Sequence, residues 1–215
     1  MRNYYHQQLS QLNEELIRMG AACEEIIGLA AQALTNHSRS LEEKTQQVGA
    51  AIDESERTIE NICLKLLLRQ QPVARDLRQI SAAMKMITDM ERIGDQAEDI
   101  VDLIPKMTRA AGEDGQMLTK MAQAAKNMVT EAVDAYVKQD LQLAGKVIGD
   151  DDIVDDYFNA VKTGIIQLIA RNPAEGEYAL DLLMIAKYFE RIGDHCTNIA
   201  EWVEFSLTGS HDIRE

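Results

Sequence analysis

Apolar residues recur along most of this chain at gaps that alternate between three and four, which is the spacing of one face of an α-helix. One such series runs over residues 9–33 and a second over residues 48–66. No stretch shows sustained alternation of apolar and polar residues with β-branched enrichment, so a sheet is not expected. The 215-residue chain is therefore predicted to be all-α.

Turn-forming residues mark the helix ends in the first half of the chain. The segment Asn36–Ser40 follows the first helix, and a second helix is predicted over Leu41–Gln70. Pro72 stands where a third helix can begin, because proline is tolerated in a first turn. Pro105 is predicted to end that third helix.

A composition change divides the chain near its middle. Residues 109–116 combine two glycines with small and acidic residues, which is typical of a linker, and the helical pattern then restarts. A turn at residues 171–177 precedes the last helix. The prediction is two tandem three-helix bundles, six long antiparallel helices related by internal repeat, with residues 1–108 and 117–207 as the repeats, 109–116 as the linker and 208–215 as a polar tail.

The repeat is clearest in a pentapeptide, E-R-I-G-D, that occurs at residues 91–95 and again at residues 190–194. Its glycines, Gly94 and Gly193, fall on the apolar face of the third and sixth helices. Since glycine costs about 1 kcal/mol against alanine inside a helix, these two are predicted to allow a neighbouring helix to approach closely.

The acids of the pentapeptide belong to longer acidic ridges beside that apolar face. At 100° per residue the acids of the third helix share an arc of about 60°, with Asp99 just beyond it. The sixth helix has Thr197 in the place of Glu98, so the second site is expected to be less charged. The candidate ligands are Glu91, Asp95, Glu98, Asp99 and Asp102 on the third helix, Glu190, Asp194, Asn198 and Glu201 on the sixth, Asp53 and Glu56 on the second, and Asp152 and Asp155 on the fifth.

Two features favour a bound cation over a merely solvated acidic face. Glu91, Asp95 and Glu98 are each followed four residues on by another acid instead of Lys or Arg, which is locally unfavourable by a few tenths of a kcal/mol per pair. The arrangement also recurs in the second half of the chain. Carboxylate and amide oxygens suit hard cations such as Mg²⁺, Ca²⁺ or Mn²⁺, or iron, whereas thiol-dependent zinc is disfavoured.

Composition excludes several classes of function. The formal net charge of −14 argues against a nucleic-acid binder and supplies no polybasic anchor for a membrane. No segment is apolar for long enough to span a bilayer, so a cytoplasmic protein without membrane insertion is expected. The three separate cysteines are predicted to be buried thiols. No catalytic nucleophile or nucleotide-binding motif occurs, and His195 is expected to lie at the surface or against a partner.

The segment Q-Q-P-V-A-R-D-L-R at residues 70–78, followed by E-R-I-G-D-Q-A-E-D-I and by E-R-I-G-D-H-C-T-N-I-A-E, resembles the PhoU family of bacterial phosphate-uptake regulators. The resemblance implies paired three-helix bundles whose E-x-x-x-D motifs can hold multinuclear iron or zinc clusters. Those motifs map here to Glu91, Asp95 and Asp99, and to Glu190 and Asp194 with Asn198 in the third place. The entry to the sixth helix departs from the first half, because R-N-P-A-E-G-E replaces R-Q-Q-P-V-A-R-D-L-R.

The resemblance also implies a function without catalysis. Members of this family are cytoplasmic, often homodimeric, and peripheral at the inner membrane face through partners. They restrain the Pst phosphate ABC transporter, through its ATPase, and keep a PhoR-type histidine kinase inactive when phosphate is plentiful. Two alternatives stay open at this point: a metal-free helical adaptor whose acids bind a basic partner, and a metal-dependent phosphoesterase.

Overall fold

Helices make up most of the computed structural model, which describes residues 2–70, 73–112 and 115–210. No strand occurs within those ranges, and the all-α prediction is confirmed. The six helices are α1 (Arg2–Ala33), α2 (Arg39–Gln70), α3 (Ala74–Leu103), α4 (Gly115–Lys138), α5 (Leu141–Arg171) and α6 (Gly176–Thr208), with single 3-10 turns at Ile104–Lys106 and Pro173–Glu175.

The two halves of the chain form two three-helix bundles, as predicted, and the bundles pack side by side around one continuous core. Helix α3 packs antiparallel against α6 and α1 packs against α4, so these four helices are central while α2 and α5 flank them. Gly20 of α1 permits the close approach of α4, because a Cβ atom there would lie 3.0 Å from Val133 Cγ2. The Tyr136 hydroxyl of α4 donates a hydrogen bond to the Gln79 carbonyl oxygen of α3 at 2.9 Å.

The described part of the predicted linker is held against the second repeat. The guanidinium of Arg109 lies 3.6 Å from the centroid of the Tyr178 ring, and its Nε donates to Glu175 at 2.9 Å. The Tyr178 hydroxyl donates to the carbonyl oxygen of Ala111, which is itself buried. Residues 109–112 therefore form a packed connection between the bundles.

Helix ends agree closely with the turn residues. Helix α3 ends two residues before Pro105, which lies in the following 3-10 turn. Helix α6 extends to Thr208 and is capped by Gly209 in the left-handed conformation, with a φ of 81°. Pro72 and residues 211–215 of the predicted tail lie outside the described residues.

The three cysteines are buried and unpaired, as predicted. Burial raises the pKa of the Cys23 and Cys63 thiols to about 12, so both are protonated and unreactive at neutral pH. Of the helices described, none combines the length and the apolar character that crossing a membrane would require.

Candidate metal centres

The first acidic groove is a cleft of about 290 Å³ between α2 and α3. Four carboxylates line it, and we define the first groove by them: Asp53 from α2, and Glu91, Asp95 and Glu98 from α3. The antiparallel packing of α2 on α3 brings together acids that are about 40 residues apart in the sequence. All four were predicted as ligands, and the structure places them in one cleft.

Small residues make room for these side chains. A Cβ atom on Gly49 would lie 1.8 Å from Glu98 Oε1, so the Glu98 carboxylate occupies the space that a larger residue on α2 would fill. A Cβ atom on Gly94 would lie 3.2 Å from Ile52 Cδ1. The predicted role of Gly94 in close helix packing is confirmed, and Gly49 provides a cradle for a ligand-type oxygen.

Crowding of like charges marks the first groove electrostatically. Burial and the neighbouring Asp95 raise the pKa of both Glu91 and Glu98, and burial and Glu60 raise that of Glu56. Arg92 compensates only in part: it lies 3.5 Å from Glu91 and 3.4 Å from Asp95, and its side chain is exposed. Without a cation the groove therefore holds more negative charge than its protein partners neutralise.

The second acidic groove lies between α5 and α6, and we define it by Asp151, Asp155, Glu190 and Asp194. Burial, followed by the charges of Asp194 and Asp155, raises the pKa of Asp151 to about 6. Burial and Glu190 likewise raise the pKa of both Asp155 and Asp194. Lys187 forms an ion pair with Glu190. Lys187 is thus the basic residue of the second groove, as Arg92 is of the first.

Asp151 is the ligand-type residue that the sequence reasoning missed. Gly94 packs on Ile52 of α2, and Gly193 packs on Val154 of α5. Ile52 and Val154 are therefore equivalent in the two halves, and so is the position three residues before each of them. That position is Gly49 on α2 but Asp151 on α5. Aligning α5 on α2 through these two pairs is the signal that would have found Asp151.

The carboxylate that lies against a glycine of the neighbouring helix comes from α3 in the first repeat and from α5 in the second. On the α3 and α6 side, Glu98 of the first repeat is replaced by Thr197, 99 residues later. Asp151 Oδ1 lies 3.1 Å from the position of a Cβ atom on Gly193, so it points into the second groove from α5. The expectation of a less charged second site took account of the α6 ridge alone, to which Asp151 adds a carboxylate from α5.

The other predicted ligands surround the two grooves. Asp99 and Asp102 continue the first ridge, and their charges act on Glu98. Asp152 is exposed beside Asp155, and Glu201 is half-buried one turn beyond Thr197. Glu56 lies near the first groove, since its charge acts on Glu91, and Asn198 contacts the first repeat.

His195 lies at the interface of the two repeats. Its Nδ1 atom is 2.8 Å from Asp89 Oδ1 of α3, and its side chain is largely buried. The same oxygen accepts a hydrogen bond from Asn198 Nδ2 at 3.1 Å. The sequence placed His195 at the surface or against a partner; the partner in the structure is the other half of the same chain.

The chemistry of both grooves fits a hard cation, because each offers four carboxylates as oxygen donors. Burial, and then the charges of neighbouring acids, raise the pKa of Glu98 in the first groove and of Asp151 in the second. In the described part of the chain, no three side chains of His, Cys, Asp or Glu are already arranged to hold a metal ion. Binding would therefore require carboxylates of a groove to change rotamer. When bound, a cation would offset part of the negative charge of a groove, held by Asp53, Glu91, Asp95 and Glu98 or by Asp151, Asp155, Glu190 and Asp194.

Removing the charge of Asp151 should stabilise the metal-free protein at neutral pH. Its pKa is raised in the folded state, so folding is disfavoured as the pH rises from about 4 through about 6 and the carboxyl group ionises. We expect Asp151→Asn to increase the free energy of unfolding at pH 7.5 by about 1 kcal/mol, after allowance for partial exposure, and the unfolding midpoint by about 3 °C. At pH 4 the variant and the parent should unfold alike.

Asp152→Asn is the matched control, since it removes the same charge from an exposed neighbour. Thermal unfolding of both variants in the presence of a chelator, at pH 4 and pH 7.5, measures the difference. Equal shifts for the two variants would show that Asp151 is not under specific repulsion from the second groove.

Both halves of the chain match the same family model. The PhoU domain model matches residues 16–104 and again residues 118–203, which correspond to α1–α3 and α4–α6. The duplicated match agrees with the repeat of the E-R-I-G-D motif at an offset of 99 residues.

Sequence relatives and solved structures agree with that match. The chain is 32% identical over 210 residues to a phosphate-specific transport system accessory protein PhoU homolog of Clostridium acetobutylicum, covering 97% of this chain and 96% of the relative. It is 33% identical over 214 residues to the Synechocystis homolog, covering 98% and 94%.

The fold is also that of known crystal structures. It superposes on PhoU from Pseudomonas aeruginosa with a TM-score of 0.89 at 28% identity, covering 96% of this chain and 100% of that one. The PhoU regulatory protein from Streptococcus pneumoniae, at 24% identity and a TM-score of 0.87, shares the fold over 96% of this chain and 98% of that one. With two family-model matches, full-length relatives and the repeated acidic grooves together, the chain belongs to the PhoU family.

Proposed function

We propose that this protein is a cytoplasmic, non-enzymatic negative regulator of phosphate uptake and of phosphate-starvation signalling. The observation that carries the proposal is the full-length similarity to phosphate-specific transport system accessory proteins. Its partners in this proposal are the ATPase of the Pst phosphate ABC transporter and a PhoR-type histidine kinase. It would act by contact with these proteins, as a homodimer at the inner membrane face.

An exposed apolar surface supports action through protein contacts. Four large apolar residues, Leu64, Leu68, Val73 and Leu77, are exposed where α2 ends and α3 begins, with Leu68 82% and Val73 67% exposed. The pairs Leu64/Leu68 and Val73/Leu77 are each four residues apart on a helix or at its start, so each pair presents one face. Each pair is thus available for contact with a partner protein.

The metal ions of this proposal have a structural or regulatory role. Mg²⁺, Mn²⁺, Ca²⁺, iron or zinc would offset part of the negative charge of the two acidic grooves and fix the distance between α2 and α3 and between α5 and α6. Because protons compete for carboxylates whose pKa values are raised, metal binding should weaken below about pH 6.

Gene deletion tests the regulatory proposal. In phosphate-rich medium, a strain without this gene should express a phosphate-starvation reporter that the parent strain represses. Complementation with the intact gene should restore repression, whereas a Leu68→Asp variant should restore it poorly although Leu68 contributes little to the core. Unchanged reporter expression in the deletion strain would contradict the proposal.

The acidic grooves alone also favour a second candidate, a metal-dependent phosphoesterase. Each groove offers carboxylates for a cation, but none of the side chains assigned to it is a nucleophile beside a base. Turnover of p-nitrophenyl phosphate by Mn²⁺-loaded protein, abolished by Glu91→Gln, would support that candidate. A third candidate, a metal-free adaptor, would be supported if reporter repression survived loss of both grooves.

A further inference from the structure

One acid of the first repeat holds two side chains of the second. Asp89 of α3 accepts hydrogen bonds at a single oxygen, Oδ1, from His195 Nδ1 at 2.8 Å and from Asn198 Nδ2 at 3.1 Å. The side chains of Asp89 and His195 are only 16% and 23% exposed. It is one of several polar contacts between the repeats, of which the hydrogen bond from the Tyr136 hydroxyl to the Gln79 carbonyl oxygen is another.

The chemistry of a carboxylate fixes which atoms face it. An ionised carboxylate can only accept hydrogen bonds, so the Asn198 amide must turn its nitrogen toward Asp89 and His195 must carry its proton on Nδ1. The amide oxygen of Asn198 is consequently turned away from Asp89. An amide binds a metal ion through its oxygen and not through its nitrogen.

The position of Asn198 gives that orientation a consequence. Asn198 is exposed and lies outside the four carboxylates that define the second groove, one helical turn after Asp194 on the same ridge. It is the candidate ligand that the second repeat has in place of an acid. Without an acceptor at Asp89, the Asn198 amide could turn either its nitrogen or its oxygen toward a cation. When Asp89 holds the nitrogen, the oxygen of Asn198 is the atom left for a cation.

The equivalent position of the first repeat also meets the other half of the chain. Asp99 stands 99 residues before Asn198. Burial and Asp95 raise the pKa of Asp99, while the charge of Arg191 on α6 opposes that rise across the interface. The third residue of each ridge is thus influenced by a charged side chain of the opposite repeat.

We infer that Asp89 is a positioning residue for the second groove: through Asn198 and His195 it makes cation affinity at α5 and α6 depend on a side chain of the first repeat. This inference rests on the proposed metal sites and assigns to one of them a determinant outside its own repeat. Outer residues that orient metal ligands typically change affinity by 10- to 100-fold when they are removed.

Calorimetric titration with Mn²⁺ tests the positioning role of Asp89, in variants that each keep the carboxylates of one groove intact. In an Asp95→Asn background, which leaves the second groove to report, adding Asp89→Ala should weaken Mn²⁺ binding by about tenfold or more. Adding Asp89→Asn, which keeps an acceptor oxygen, should weaken it less. In an Asp194→Asn background, which reports the first groove, Asp89→Ala should change the affinity by less than about twofold. Asp76→Ala is the control for loss of an α3 acid outside this contact.

A double-mutant cycle separates positioning from a general structural effect. If Asp89 acts through Asn198, Asp89→Ala should cost little further affinity once Asn198→Ala is present. An equal loss in both backgrounds would overturn the inference. In the metal-free protein, nitrogen-15 spectra should show the Nδ1-protonated form of His195, with a mixture of tautomers in Asp89→Ala; unchanged spectra would overturn it too.

The outcomes also distinguish this inference from the metal proposal. If the Asp95→Asn protein binds Mn²⁺, loses it on Asp194→Asn and is indifferent to Asp89→Ala, the second groove is a metal site but Asp89 does not position it. If the Asp95→Asn protein binds no Mn²⁺ at all, the second metal site and the role of Asp89 are both wrong.

Discussion

Adding Mn²⁺ to the metal-free protein should raise its thermal unfolding midpoint by about 10 °C or more at pH 7.5. Each groove holds four carboxylates whose pKa values are raised or whose charges raise those of their neighbours. A cation at 100 times its dissociation constant stabilises the folded state by about 2.7 kcal/mol per site. Two sites thus supply about 5 kcal/mol, and in a chain of this length 1 kcal/mol corresponds to about 2–4 °C.

The pH dependence and a salt control make this prediction specific. The increase should shrink toward pH 5, because Asp151 and its neighbours then bind protons in competition with the cation. NaCl at equal ionic strength screens exposed charges without entering the grooves and should produce only a small part of the shift. If NaCl were as effective as Mn²⁺, the stabilisation would be screening and not binding.

Separating the two repeats should abolish cooperative folding of each. The apolar face that α1 and α3 turn toward α4 and α6 belongs to one core that both halves share. A fragment of residues 1–112 would expose that face, including the contact of Gly20 with Val133, and would leave the Gln79 carbonyl oxygen without its Tyr136 partner. We expect no sharp thermal transition from this fragment or from one beginning at residue 115, and strong binding of an apolar dye.

Mixing the two fragments provides the matched test. Equimolar fragments should recover helix content and a single cooperative transition, because the shared core can form again without the connection. Circular dichroism and sedimentation measure both effects. A sharp transition from either fragment alone, at the temperature of the intact chain, would mean that the repeats are independent domains.

The six helices could be predicted from the sequence because the three-and-four spacing and the turn residues act locally. The same spacing shows that a face of α1 or α3 is buried but not which helix covers it, so the packing of α3 on α6 had no local signal. His195 illustrates the limit: its direction on α6 was predictable, but its partner Asp89 lies 106 residues away.

The acidic grooves were predictable where both contributing helices carried acids in phase, as with Asp53 and the α3 ridge. Asp151 was missed because its counterpart in the first repeat is Gly49, not an acid, although it lies four residues before Asp155 and so shares a helix face with it. The exchange of Glu98 and Gly49 for Thr197 and Asp151 becomes visible only when packing partners such as Ile52 and Val154 align the flanking helices.

Metal analysis of protein purified without an affinity tag tests the central claim most directly, comparing the intact chain with Asp95→Asn and Asp194→Asn. Bound metal in the intact protein, reduced by each substitution and lost when both are combined, is the predicted result. Metal content that is negligible in the intact chain, or the same in all the variants, would contradict the claim that the two grooves are cation sites.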